Sequence, residues 1–250
     1  MTVIKDARIA VIGGGLAGLS FANAAQHNGL KNVTVYEQAK EFREIGAGIS
    51  LSENAFRCLD QYGLKEALLQ VSNEQTEVDT ARYGRWFRHY KTGDELAVVK
   101  PYGKPNRRIH RAHLLDVLRA KLPKEMLKTN KRLLKIEKNG NDEKEYVLHF
   151  ADGTSEAADI VVGCDGIHSN VRKYLGILDN AQYSGKAVYR GLLPPSSLSK
   201  ETIDVLQLHL TFFRGHHSYI AVYPIGQGQN CLYNVAAFMP EPLSELMLVF

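Results

Sequence analysis

Apolar and polar positions follow two different periods along this chain, and the first change of period comes early. Arg8-Ile9-Ala10-Val11-Ile12 is a β-branched apolar run that reads as a buried strand, and Gly13-Gly14-Gly15-Leu16-Ala17-Gly18 follows it directly. Small and apolar residues at helical spacing continue to about Asn28, where Gly29 supplies a stop. Val33-Thr34-Val35-Tyr36-Glu37 is a second strand. The chain therefore opens with a strand, helix, strand unit, which demands parallel strands and a right-handed crossover.

A glycine-bearing loop, Ile45-Gly46-Ala47-Gly48-Ile49, precedes a helix from about Ser52 to Tyr62, with Ser50 and Glu53 at capping-box spacing and Gly63 as its stop. Val78 to Val99 reads as a hairpin turning at Lys91-Thr92-Gly93-Asp94, and a leucine-periodic helix runs from Arg111 to Pro123. Strands Leu133 to Glu137 and Glu145 to Phe150 flank a polar loop, and Asp159 to Cys164 is apolar enough for a strand buried on both faces. After Gly176 the pattern turns strand-like: Ala187 to Leu193, Leu206 to Phe213, Ser218 to Tyr223 and Asn230 to Phe238, a mostly antiparallel sheet. The expected organisation is one domain over 1–77 and 100–180, interleaved with a second over 78–99 and 181–250.

Composition narrows the function. Hydrophobic residues at 44% and charged residues at 23% exclude a disordered or low-complexity chain. A net charge of +4 is too small for a nucleic-acid footprint, so nucleic acid is not an expected partner. Arg82, Arg85 and Arg88 among Tyr83, Trp86 and Phe87 resemble a stacking platform, but strand geometry splits the arginines between two faces. Cys58, Cys164 and Cys231 lack Cys-x-x-Cys spacing, and His216-His217 on a strand would face opposite ways, so no disulfide framework or metal site is expected. A reducing, cytoplasmic setting follows, with no room for a secretion signal before the first strand and no apolar stretch near the roughly 18 residues of a membrane span.

The glycine run carries the chemistry. Gly13 permits a tight turn after the strand, Gly15 lets backbone approach a pyrophosphate, and Gly18 lets the helix pack closely with its N-terminus toward the phosphates. Glu37 ends the second strand 24 residues after Gly13 and 19 after Gly18, where a carboxylate accepts hydrogen bonds from both ribose hydroxyls of an adenosine. Its charge also repels a ribose 2′-phosphate, which leaves FAD or NAD as the resident nucleotide. Asp165-Gly166, after the strand that ends near Cys164, adds a carboxylate and a flexible backbone at the carboxyl edge of the sheet. The plainer account of that segment is a turn followed by a helix capped by Ser169.

Gly163-Cys164-Asp165-Gly166-Ile167-His168-Ser169-Asn170-Val171-Arg172, together with the glycine fingerprint, resembles the class A FAD-dependent aromatic monooxygenases. Glu44-Ile45-Gly46-Ala47-Gly48-Ile49, Ser52-Glu53-Asn54-Ala55 and Arg111-Ala112-His113-Leu114 extend the resemblance over nearly the whole chain, nearest the salicylate hydroxylase-like branch. It implies an α/β fold, a Rossmann-like FAD-binding domain interleaved with a mostly antiparallel β-sheet substrate domain. It further implies FAD as cofactor, NADH or NADPH as transient electron donor, and O2 and a small phenolic ring as substrates. Carried over residue by residue, Glu37 binds the adenosine ribose, Gly48 lies along the FAD, and Arg111 reaches the pyrophosphate or ribityl region. Asp165 and Gly166 meet the cofactor near the nicotinamide donor.

Tyr189-Arg190-Gly191-Leu192 and Val222-Tyr223-Pro224-Ile225 resemble the substrate-lining strands of the family's fungal phenol-hydroxylating members. Arg190 would stabilise a phenolate or its carboxylate, and Tyr223 would orient the ring. The family's third FAD motif has no counterpart: Gly93-Asp94 falls in a hairpin turn, and Gly226-Gln227-Gly228 reads as another turn. With an uncapped apolar run from Pro242 to Phe250, the sequence reads as truncated. A non-catalytic nucleotide-binding fragment and a flavin epoxidase of an isoprenoid are the alternative readings.

Overall fold

The computed structural model describes residues 4–42, 48–72, 84–100, 106–140, 142–177, 181–206, 210–226 and 231–241. The loop at 43–47, Arg82, Tyr83, residues 227–230 and the run from 242 to 250 lie outside the described residues. In chain order the elements begin with β1 (Ile9–Ile12), α1 (Leu16–His27), β2 (Val33–Tyr36), β3 (Gly48–Leu51), α2 (Glu53–Gln61), α3 (Lys65–Val71), β4 (Arg85–His89), β5 (Glu95–Val99), β6 (Arg107–His110) and α4 (Arg111–Ala120). They continue with β7 (Leu127–Lys128), β8 (Leu133–Asn139), β9 (Asp142–Phe150), β10 (Ser155–Ala158), β11 (Ile160–Gly163), α5 (Asn170–Tyr174), β12 (Lys186–Leu193), α6 (Lys200–Leu206), β13 (Leu210–Arg214), β14 (Tyr219–Ile225) and β15 (Leu232–Pro240).

Two compact units share this chain: Met1–Glu44, Gln61–Leu64 and Leu114–Gln182 form the first, and Ile45–Asp60, Lys65–His113 and Tyr183–Phe250 the second. Residues 45–60, 65–77 and 100–113, expected in the first domain, thus group with the second unit. The cause is a long-range pairing invisible to local pattern. β3 and β6 form a two-stranded antiparallel sheet, and the first residue of β3 is bonded by side chains of β14 and β15.

In the first unit a parallel sheet runs in the order β11-β1-β2-β7. All four residues of β1 are buried, as a central strand requires. Among the described residues β11 is the edge of this sheet and only partly buried, which corrects the expectation of a strand covered on both faces. Leu19 and Ala22 on α1 are fully buried, and Asn23 Nδ2 donates to the carbonyls of Leu19 and Leu118. An antiparallel sheet, β10-β9-β8, completes the unit, and its Phe150 stacks on Tyr36 with ring centroids 4.8 Å apart in a common apolar core.

A charged staple joins the starts of β1 and β11. The Arg8 backbone N–H and Nε donate to Asp159 Oδ2 at 2.8 and 3.1 Å, while Nη2 donates to Asp159 Oδ1 and to Glu145 Oε2 at 2.7 Å. Hydrogen bonds from Arg8 lower the Asp159 carboxyl from its ordinary 3.8 to about 2. A depressed carboxyl contributes stability that is present above its unfolded value and is lost as pH falls toward its folded one. The Asp159→Asn variant should therefore melt below wild type at pH 7, with the gap closing between about pH 4 and pH 2. Both side chains are about a third exposed or more, so screening keeps the gap near 1 kcal/mol or less. Melting curves at pH 7 and pH 2.5 would expose an error if the gap stayed constant.

The second unit is built on a six-stranded sheet in the order β12-β15-β14-β13-β4-β5, antiparallel except between β13 and β4. The expected strand from Leu206 to Phe213 is divided: Leu206 ends α6, and β13 starts at Leu210. Ser199 Oγ accepts from Thr202 N at 3.2 Å, a helix-start signal overlooked in the strand-like pattern, and Leu206 packs on Val222 and Tyr233. His216 and His217 lie between β13 and β14, outside either strand, so the alternation argument made for them does not apply.

Candidate functional site

In the first unit the glycine run forms a cradle at the carboxyl end of β1. Gly13 has φ of +105°, and a Cβ there would lie 2.3 Å from the Cys164 carbonyl oxygen. A Cβ on Gly18 would lie 1.9 Å from the Gly13 carbonyl oxygen, so α1 reaches its packed position only with glycine there. Gly15 is different. It precedes α1 as N-cap without a side-chain hydrogen bond, and a Cβ on it would meet no atom within 4 Å. Helix N–H groups without a side-chain cap beside open space form an anion-binding arrangement.

Glu37 closes the cradle. Its Oε2 accepts from Gly14 N at 2.7 Å and its Oε1 from Ala39 N at 2.8 Å, which fixes the carboxylate at the end of β2. Two backbone donors leave lone pairs on both oxygens for ribose hydroxyls. A bare N-terminus, space over Gly15 and a held carboxylate fit the adenosine and pyrophosphate part of a dinucleotide.

Asp165 is placed at the end of β11, where it receives Ser169 Oγ at 2.5 Å, Asn170 N at 2.7 Å and Val171 N at 3.2 Å. Ser169 in turn accepts from Arg172 N at 3.0 Å. This carboxylate organises the start of α5, the plainer account of the segment. Gly166 has φ of +75° and is exposed with open space at its Cβ position.

The other sequence-derived site residues lie in the second unit. Arg111 begins α4 and is half-buried. Arg190 sits on β12 and belongs to a row of directly paired residues crossing five strands: Arg190, Ala236, Ala221, Phe212 and Phe87. Paired residues point to one face, and Tyr223, two residues from Ala221, shares it. Phe87 stacks on Phe212 at 5.1 Å and Tyr219 on Phe238 at 4.4 Å, so this face presents aromatic rings and small alanines beside an arginine. Burial raises the Tyr223 phenol pKa, while the charges of Arg190 and Arg108 oppose that rise.

Three residues at this site escaped the reading of the sequence. Arg108 is buried, with its guanidinium 5.9 Å from the Tyr223 ring centroid. Asn234 is buried and bonded through Oδ1 to Gly48 N at 2.9 Å. Ala236 adjoins Arg190 in the sheet. Only Arg108 carried a local sign, an arginine in the short strand before α4; the others depend on pairings between distant strands.

Residues 6–243 match the family described as FAD binding domain, and the chain belongs to that family. Its relatives include 3-amino-4-hydroxybenzoate 2-monooxygenase of Streptomyces cremeus, 32% identical over 241 residues that cover 96% of this chain and 59% of that protein. Salicylate hydroxylase of Pseudomonas putida is 30% identical over 256 residues, covering 94% and 56% respectively. In fold, the chain resembles 2,6-dihydroxypyridine-3-hydroxylase from Arthrobacter nicotinovorans with a TM-score of 0.80 at 24% identity, covering 95% of this chain and 57% of that one. The chain thus spans between half and two thirds of the length of these two curated relatives. These likenesses agree with the class A aromatic monooxygenase resemblance and with FAD as cofactor. Among the described residues no helix is long and apolar enough to cross a membrane.

Proposed function

We propose that the full-length protein is an FAD-dependent monooxygenase that hydroxylates a small, electron-rich phenolic ring at the expense of NADH or NADPH and O2. The row from Arg190 through Ala236 and Ala221 to Phe212, with Tyr223 on the same face, is the observation that carries the substrate class. The phenylalanines offer edges and faces to a flat ring, and Arg190 offers a bidentate partner for phenolate or carboxylate. Stabilising phenolate enriches the ring in electrons at the carbon to be hydroxylated.

Gly13, Gly15, Gly18 and Glu37 would hold the adenosine and pyrophosphate of FAD, with Gly48, Arg111, Asp165 and Gly166 as further cofactor contacts. Once bound and reduced, FAD supplies the activation of O2, one atom of which enters the ring while the other leaves as water. The chain's own part is to hold the phenol at Arg190. Three unpaired thiols, Cys58, Cys164 and Cys231, suit a cytoplasmic setting.

Full-length protein should purify yellow and oxidise NADH or NADPH faster when hydroxylated aromatic acids are added, with release of the ring-hydroxylated product. Arg190→Met should raise KM about tenfold or more, as loss of a charge-assisted pair does. Flavin-loaded protein whose NAD(P)H oxidation ignores every phenolic acid offered would refute this reading.

A further inference from the structure

Gly48 opens β3 and pairs with His110 of β6. Both of its backbone polar groups are held by side chains of the large sheet. Its N–H donates to Asn234 Oδ1 at 2.9 Å, and its carbonyl oxygen accepts from the Tyr223 hydroxyl at 2.9 Å. Tyr223 and Asn234 are themselves directly paired between β14 and β15, so two neighbouring side chains grip two successive peptide groups. A Cβ on Gly48 would lie 2.7 Å from Tyr223 Cε2 and from Ile225 Cγ2, so the grip requires glycine. Asn234 is 1% exposed, and its Nδ2 is buried without a hydrogen-bond partner among the described residues. An apolar residue would fill that position without stranding a donor, so the contribution of the amide lies in its single bond to Gly48. The buried Arg108 guanidinium near the Tyr223 ring adds a favourable contact that steadies the phenol.

We propose that Tyr223 and Asn234 are a two-point clamp on the Gly48 backbone, positioning residues for bound FAD rather than groups that handle the substrate. The proposal rests on the FAD-dependent reading and on Gly48 lying beside the cofactor. It reassigns the Tyr223 hydroxyl, whose proton is committed to Gly48. The ring of Tyr223 still borders the substrate face, so removal of the hydroxyl alone separates the two roles.

The test uses the full-length protein with Tyr223→Phe, Asn234→Leu and the double variant. FAD dissociation constants come from fluorescence titration, flavin absorbance spectra from the loaded proteins, and KM for the aromatic substrate from assays at saturating FAD. Each single variant should weaken FAD binding about fivefold to tenfold, as expected for one lost hydrogen bond, with a shifted flavin band, and Asn234→Leu should keep KM within about twofold of wild type. The double variant should lose less than the product of the two, because both act on one residue. FAD affinity within about twofold of wild type in the single variants, or a raised KM with FAD affinity intact, overturns the clamp. Tyr223→Phe removes a single oxygen and decides the matter if Asn234→Leu fails to fold. Wild-type protein that takes up no FAD overturns both readings. Protein that binds FAD without responding to aromatics overturns only the proposed function, since the FAD titration still judges the clamp.

Discussion

Replacing Gly15 with alanine should leave the FAD-free protein as stable as wild type, within about 0.5 kcal/mol, and weaken FAD binding by about tenfold or more. The two halves of this expectation have separate causes. Gly15 has φ of −75° and ψ of −171°, a conformation any residue adopts, and an added Cβ meets nothing within 4 Å. Alanine is a poorer N-cap than glycine by roughly 0.5–1 kcal/mol, but it restricts the unfolded chain by about 0.4–1 kcal/mol, and the effects offset. The open space matters only when a pyrophosphate occupies it, because the methyl group then stands between the phosphates and the first N–H groups of α1. Gly13→Ala and Gly18→Ala provide the contrast. Their Cβ atoms would lie 2.3 and 1.9 Å from backbone oxygens, so each should cost about 3 kcal/mol or more of stability before any ligand is considered. Thermal melts without FAD and fluorescence titrations with it separate the cases. Wild-type FAD affinity in Gly15→Ala would show that the space over Gly15 is not the phosphate site.

The cradle was legible because its requirements are local and steric. A strand, a turn with positive φ at Gly13 and a helix that must approach at Gly18 leave few residue choices, and those choices stand within six positions of one another. The two strands that flank the helix were legible for the same reason, as the β1 and β2 register confirms. Where a residue's setting depends on distant partners, local pattern misled. The apolar run of β11 implied cover on both faces, yet its place at the sheet edge is decided by how strands assemble. Leu206 belongs to a helix because Ser199 caps α6 and Val222 and Tyr233 receive the leucine, contacts that no alternation records. Asn234 looked like any polar residue in a strand. Its partner, Gly48, is 186 positions away, and the same separation explains why β3 and β6 group with the second unit although their neighbours in sequence suggest the first.

Glu37→Gln, conservative in shape, should lower FAD affinity by about 10- to 100-fold, the loss expected for hydrogen bonds to a charged acceptor worth about 1.5–3 kcal/mol. The carboxylate is held symmetrically, Gly14 N–H on one oxygen and Ala39 N–H on the other. Glutamine has only one oxygen to offer, so its NH2 group must confront one of these donors. The backbone of residue 37 should stay in place, because its N–H is bonded to Lys128 O and its C=O to Lys131 N, both at 2.8 Å. The damage is then confined to the carboxylate and to Gly14, whose peptide N–H loses its fixed acceptor inside the phosphate turn. The FAD-free protein should lose only about 1 kcal/mol, since the site is half-exposed and water can replace the missing acceptor. Affinity should fall further because the lone pairs left for the two ribose hydroxyls belong to a neutral amide rather than a carboxylate. A Glu37→Gln variant that binds FAD within about threefold of wild type, melting as expected, would confine the role of Glu37 to holding Gly14 and Ala39 and leave the ribose to another acceptor.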